Sequence, residues 1–156
     1  MAAYRMAGVP GFCPWTMFED PYAGSLDLVP SKNGLYQTVK DTFIHTRFFL
    51  HEYDTRMFSG QSKKRTITVV NDDFQTKQMT FSWSFGSTSH GTSSLTLLSA
   101  GIATISFTIT APEVLSTTQV ALSMTLSLTT GTVQYSTVAN YTVHPTYKMP
   151  SSFDHR

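Results

Sequence analysis

At 156 residues the chain is the size of one ordinary domain, and an apolar share of 40% is enough for a core, while the charged share of 13% is about half the usual. A formal net charge of +1 leaves no electrostatic footing for nucleic acid or an anionic membrane surface. No apolar run approaches the ~20 residues of a membrane span, and the single cysteine, Cys13, excludes an internal disulfide and a cysteine-rich zinc site.

Taken from the N-terminus, residues 1–40 are irregular: Pro10, Gly11, Pro14, Pro21, Gly24, Pro30 and Gly34 interrupt every potential element. Met1 to Gly11 lacks an apolar core behind a basic start, so no export signal is expected within this sequence. From about residue 41 to 145 the pattern changes to a sustained period of two, the signature of strands with one buried and one wet face. Thr42 to Asp54 reads as extended, and Lys63-Lys64-Arg65 as a solvated loop or strand start. Arg65 to Asn71 alternates with Ile67 and Val69 on one face and stops at the turn signal Asn71-Asp72-Asp73.

In the segment Gln78 to Phe85, Met79, Phe81, Trp83 and Phe85 share one face and Thr80, Ser82 and Ser84 the other, which predicts a core position for Trp83. Gly86 to Gly91 reads as a flexible hairpin loop and Leu95 and Leu97 as a short strand. Ile105, Phe107 and Ile109 form the next strand, ended by Ala111-Pro112. Val120, Leu122, Met124, Leu126 and Leu128 alternate along a long strand, and Gly131 predicts a hairpin into Val133, Tyr135, Tyr141 and Val143. Residues 146–156, with Pro150 and Ser151-Ser152, read as a tail. No helical crossovers separate the strands, so the predicted fold is all-β: an immunoglobulin-like antiparallel β-sandwich of about seven strands.

Little in the sequence points to covalent chemistry. Asp72 and Asp73 are adjacent and on extended backbone would face opposite ways, so they predict a turn rather than an acid/base pair. His45 and His51 would lie about 20 Å apart on a strand at ~3.3 Å per residue, and His90, His144 and His155 match no zinc spacing. No Gly-x-Ser-x-Gly elbow occurs, and Asn140-Tyr141-Thr142 is a formal glycosylation triplet inside the last strand. No catalytic residue, metal site or cofactor is expected.

Two stretches resemble parts of a known enzyme group. The run Tyr4-Arg5-Met6-Ala7-Gly8-Val9-Pro10-Gly11-Phe12-Cys13-Pro14-Trp15-Thr16-Met17-Phe18-Glu19 resembles the end of the (β/α)₈ barrel of glycoside hydrolases. Arg47 to Gln61, continuing through Lys64 to Asp72, resembles the opening of the immunoglobulin-like domains that accompany such barrels, notably in glycoside hydrolases similar to family 2. There a Phe-Ser-Gly turn, here Phe58-Ser59-Gly60, leads to a strand ending Thr68-Val69-Val70-Asn71-Asp72. The resemblance implies a non-catalytic accessory sandwich that supports or spaces the catalytic barrel of a parent enzyme, with Trp15 at the place of a barrel-strand tryptophan. The earlier barrel strands, which carry the catalytic glutamates of that group, are not in this sequence. The parent would be secreted or periplasmic.

Two alternatives accompany this reading. In one, the chain is itself a carbohydrate-binding module that stacks polysaccharide on exposed aromatics, with Trp15, Tyr141 and Tyr147 as the candidate platforms. In the other it is a small enzyme built on Cys13 or a histidine. The apolar group Phe12, Trp15, Met17 and Phe18 is expected to dock on the sandwich or on a second copy, giving a homo-oligomer through the N-terminal segment.

Overall fold

The computed structural model describes residues 5–8 and 41–146. Within them lie two β-sheets. The smaller has the order β1-β3-β6, built from β1 (Thr46–Leu50), β3 (Ser62–Asn71) and β6 (Gly101–Thr110). The larger has the order β2-β8-β7-β4-β5, built from β2 (Arg56–Phe58), β8 (Val133–His144), β7 (Thr118–Leu128), β4 (Lys77–Phe85) and β5 (Ser89–Leu97). All pairings are antiparallel except β2 with β8. The two sheets pack their apolar faces together, so the protein is an immunoglobulin-like β-sandwich.

The alternation of side chains predicts which residues meet. Phe48, Ile67, Val69, Phe107 and Ile109 from the small sheet face Met79, Phe81, Phe85, Leu122, Met124, Leu126, Tyr141 and Val143 from the large one. Phe48 sits edge-on to Phe81 at 5.3 Å and to Tyr135 at 5.1 Å, which locks the sheets at their centre. The hairpin expected across Gly131 joins β7 to β8, and Gly131 takes a φ of 94°.

Several boundaries differ from the sequence reading, each for a physical reason. The eighth strand is β2, whose three residues are too few to show any period. β3 begins at Ser62, so Lys63, Lys64 and Arg65 belong to a strand, and Arg65 is 3% exposed rather than solvated. β5 begins at Ser89, which shortens the expected Gly86 to Gly91 loop. Its first inward positions hide from a hydrophobicity count because they are small: Gly91 lies opposite Trp83 in the ladder, and a Cβ there would come within 3.0 Å of the indole.

The turn at Asn71-Asp72-Asp73 forms as expected. Asn71 is fully buried; its amide donates to Gln75 O and Leu98 O, both at 2.9 Å, and its Oδ1 accepts from Asp73 N at 3.3 Å. One side chain thereby ties the β3–β4 and β5–β6 loops together at one end of the sandwich.

Candidate functional site

Charge is confined to one part of the molecule. Between Gln78 and Thr146 the only Asp, Glu, Lys or Arg is Glu113, so the other cations and carboxylates of the described residues gather on Arg5, β1, β2, β3, their loops and the first residue of β4. Three arginines dominate there. Arg65 points inward on the face shared by Ile67 and Val69; its Nε donates to Tyr141 Oη at 2.9 Å and its NH2 to Asp54 O at 2.7 Å. Arg47 places its guanidinium 4.5 Å from the Phe49 ring and 4.3 Å from the Tyr135 ring, and donates to Tyr135 Oη at 2.7 Å. Burial pushes the Arg47 guanidinium below its usual pKa, against the pull of Tyr135. Its Nε is buried without a hydrogen-bond partner among the described residues.

The third is Arg5, which is only 7% exposed. It pairs with Asp72, donates to the carbonyls of Thr42 and Ile44, and lies 5.7 Å from the Phe43 ring and 5.6 Å from the Phe49 ring. Two guanidinium groups therefore flank the Phe49 ring, and Arg5 is fastened to the sandwich.

Among the described residues no three His, Cys, Asp or Glu side chains come together as a metal site. The carboxylates are spent on structure. Asp72 holds Arg5, Glu52 accepts from Thr66 N at 2.9 Å, and Asp54 takes Lys63. Asp73 is held below the usual carboxylate range first by Lys77 and then by His45 at 3.1 Å. His51 Nε2 lies 2.7 Å from Thr68 Oγ1 on the neighbouring strand, and His45 Nδ1 lies 3.1 Å from Asp73 Oδ1, so the two histidines of the early pair have separate partners. Nothing in these contacts offers a paired acid and base across a cleft.

The proposed sugar platforms fare unequally. Tyr141 is fully buried, its ring 5.1 Å from Phe85 and its hydroxyl bonded to Arg65, so it has no face to offer a ligand. Burial also pushes its phenol above the usual pKa, with Arg65 opposing. The correction follows from strand parity, since Tyr141 shares its inward side with Val143. Trp15 and Tyr147 lie outside the described residues. Trp83 packs on the core as expected, stacked on Phe107 at 5.0 Å, but it is only half-buried.

What the outer face of the large sheet does offer is hydroxyls. A shallow depression of ≈ 200 Å³ is lined by Ser82, Trp83, Ser84, Ser123 and Thr125. It can accept and donate hydrogen bonds but contains no titratable group. Sequence reading assigned these serines only to a wet face. Their gathering required the register that sets Ser82 opposite Thr125 and Ser84 opposite Ser123.

No family model matches the sequence, and no curated protein matches it. Solved structures do. A CARDB domain from Pyrococcus furiosus, solved with di-metal ions, aligns with a TM-score of 0.51 at 10% identity over 65% of this chain and 96% of that one. Native α2-macroglobulin from Escherichia coli aligns with a TM-score of 0.52 at 14% identity over 65% of this chain, which spans 17% of that structure. A β-glucosidase from Listeria innocua, bound to isofagomine, reaches a TM-score of 0.48 at 12% identity, with 67% of this chain and 17% of that one aligned. At these identities the likeness to the CARDB and macroglobulin domains is one of fold, that of an immunoglobulin-like domain.

Proposed function

We propose that this chain is a non-catalytic accessory sandwich of a carbohydrate-active enzyme, bracing a catalytic barrel that precedes it. The observation that carries the reading is the use made of the stretch that resembles glycoside hydrolase accessory domains. Arg47 clamps Tyr135, Gly60 turns with a φ of 68° and donates to Ala111 O at 3.2 Å, Arg65 holds Tyr141, and Asn71 ties two loops. The residues behind the resemblance are architectural, which fits a supporting domain better than a ligand-binding one. The anchoring of Arg5 on the sandwich supports the same reading, because it gives the domain a rigid grip on whatever enters from the N-terminal side.

The coding DNA upstream of Met1 tests this directly. The expected finding is ~250 residues of alternating strand and helix pattern, a (β/α)₈ barrel with its own glutamates. An upstream region without such a pattern overturns the proposal. In parallel, the purified chain is expected to leave aryl glycosides intact and to migrate unretarded through polysaccharide-containing gels. Retardation would favour a sugar-binding module instead.

A further inference from the structure

One long side of the sandwich is open. It is formed by β5 and β6, each at the free edge of its sheet among the described residues. Edge strands in monomeric proteins are usually short, charged, bulged or interrupted by proline, because a bare row of amides and carbonyls recruits further strands. These two have nine and ten residues, Ser89–Leu97 and Gly101–Thr110. Neither contains a charged residue or a proline, and their ladders to β4 and β3 run without a register shift.

The backbone along β6 shows which groups are free. At its end, Ala111 N donates to Gln61 O at 2.9 Å, and the antiparallel alternation continues from there. The odd-numbered residues of β6 therefore direct their amides to β3, and Ile102, Thr104, Ser106 and Thr108 direct theirs to the open side. The core is open in the middle of that side: Leu95, Ala103, Ile105 and Trp83 point inward yet are only partly buried, while Leu97, Phe107 and Ile109 on the same two strands are buried and Thr110 N donates to Ser89 Oγ at 3.3 Å at one end. Ile102, beside the gap, is 50% exposed.

We propose that a second copy of this chain closes this side, pairing β6 antiparallel with β6 so that the small sheets of the two copies run on as one. A strand that continues this sheet must put apolar groups toward the gap and tolerate hydroxyls outside. β6 has that pattern itself, with Ala103 and Ile105 inward and Thr104, Ser106 and Thr108 outward. A two-fold contact sets a surface against itself, so any charge on it would meet its own sign. This edge carries none. Hydroxyl pairs already bridge β6 to β3, with Ser62 Oγ 2.9 Å from Thr110 Oγ1, and the same chemistry is available on its other side.

The test is sedimentation or light scattering of the full chain across concentration, with two variants. Ser106→Pro removes an amide that the monomer does not use, and proline is tolerated on such an edge. Thr104→Lys puts a like charge on each copy's half of a contact that otherwise carries none. The expected result is a wild-type dimer, with both variants weakened at least about tenfold in self-association and unchanged in circular dichroism. In hydrogen exchange, the amides of Thr104 and Ser106 should be slow in concentrated protein and fast on dilution. Should Ser106→Pro fail to fold, Thr104→Lys and the exchange pattern decide alone. A wild-type monomer at hundreds of micromolar, or a dimer that both variants leave intact, overturns the proposal.

Discussion

Along one side of the sandwich, β1 and β2 have five and three residues and are flanked by Arg5, Arg47, Arg56 and Lys63. Along the other, β5 and β6 run nine and ten residues without a charge. The first side is closed from within: Arg47 and Arg65 bond to tyrosines of β8, Phe49 lies under two guanidinium groups, and β2 adds its parallel pairing to the edge of β8. The second side has neither short strands nor ions, and its inward Leu95, Ala103 and Ile105 stay partly exposed while Leu97, Phe107 and Ile109 are buried. The same fold thus manages its two flanks by opposite means. Where the sequence invests arginines, they bond to tyrosines of the facing sheet; where it invests only Ser, Thr and apolar residues, the edge strands are long and uncharged.

The largest effect should come from the closed side. Tyr141 is the largest fully buried side chain among the described residues, and Tyr141→Ala is expected to cost about 3–5 kcal/mol through the cavity it leaves. Tyr141→Phe keeps the volume but strips Arg65 Nε of its acceptor, for about 1–3 kcal/mol. Chemical denaturation measures both. An unaffected midpoint in Tyr141→Ala would mean that the ring is not core and would reopen its use as a sugar platform.

On the open side the effects should be smaller, because the neighbours can give way. A Cβ at Gly91 would approach Trp83 Cζ2 to 3.0 Å, but the indole is half-buried and β5 is an edge. Gly91→Ala is expected to cost about 1–2 kcal/mol, at the low end for overpacking. With Trp15→Phe as background, Trp83 is the sole indole, and its emission should shift to the red as it is displaced outward. An unchanged spectrum and stability would mean that the Trp83–Gly91 contact does not set the spacing of β4 and β5.

Arg5 tests how firmly the closed side reaches beyond the sandwich. Arg5→Ala removes the ion pair to Asp72 and the cover over Phe49, with an expected loss of about 1–2 kcal/mol. Limited proteolysis should then cut the N-terminal region faster than in the wild type. Equal rates would show that Arg5 does not fasten it.

Much of this contrast was legible in the sequence, but unevenly. The long strands β4 and β7 announced themselves because every inward position is large and apolar. Strand parity sets Arg65 on the side of Ile67 and Val69, and Tyr141 on that of Val143, yet the sequence reading leaves Arg65 solvated and offers Tyr141 as an exposed platform. A polar tip invites an outward reading until its partner is known, and the partners here are each other, 76 residues apart in sequence. Gly91 hid the start of β5 because the tryptophan opposite it fills the space of its missing side chain. β2 was invisible because its reason for being a strand is the edge of β8, which no local pattern contains. The hydroxyl depression and the open side arise only once strand order is known.

The smallest expected effect lies at the junction of the two sides. Asp73 joins Lys77 and His45 through its carboxylate, while its backbone carbonyl accepts from Ala100 N at 3.2 Å in the β5–β6 loop. Its pKa is lowered in the folded protein, chiefly by Lys77, so folding favours the ionised form. The resulting stability is present above the unfolded carboxyl pKa of about 3.9 and is lost as pH falls through the lower folded value. For a partly buried pair still reached by solvent it should amount to no more than about 1 kcal/mol. Asp73→Asn should therefore lower Tm slightly at pH 6, and the difference should shrink as pH falls through the folded value of Asp73. Because the carbonyl contact survives the substitution, the β5–β6 loop should keep its exchange protection in the variant. A Tm difference that does not change with pH would mean that the carboxylate acts through the loop's backbone geometry rather than through charge.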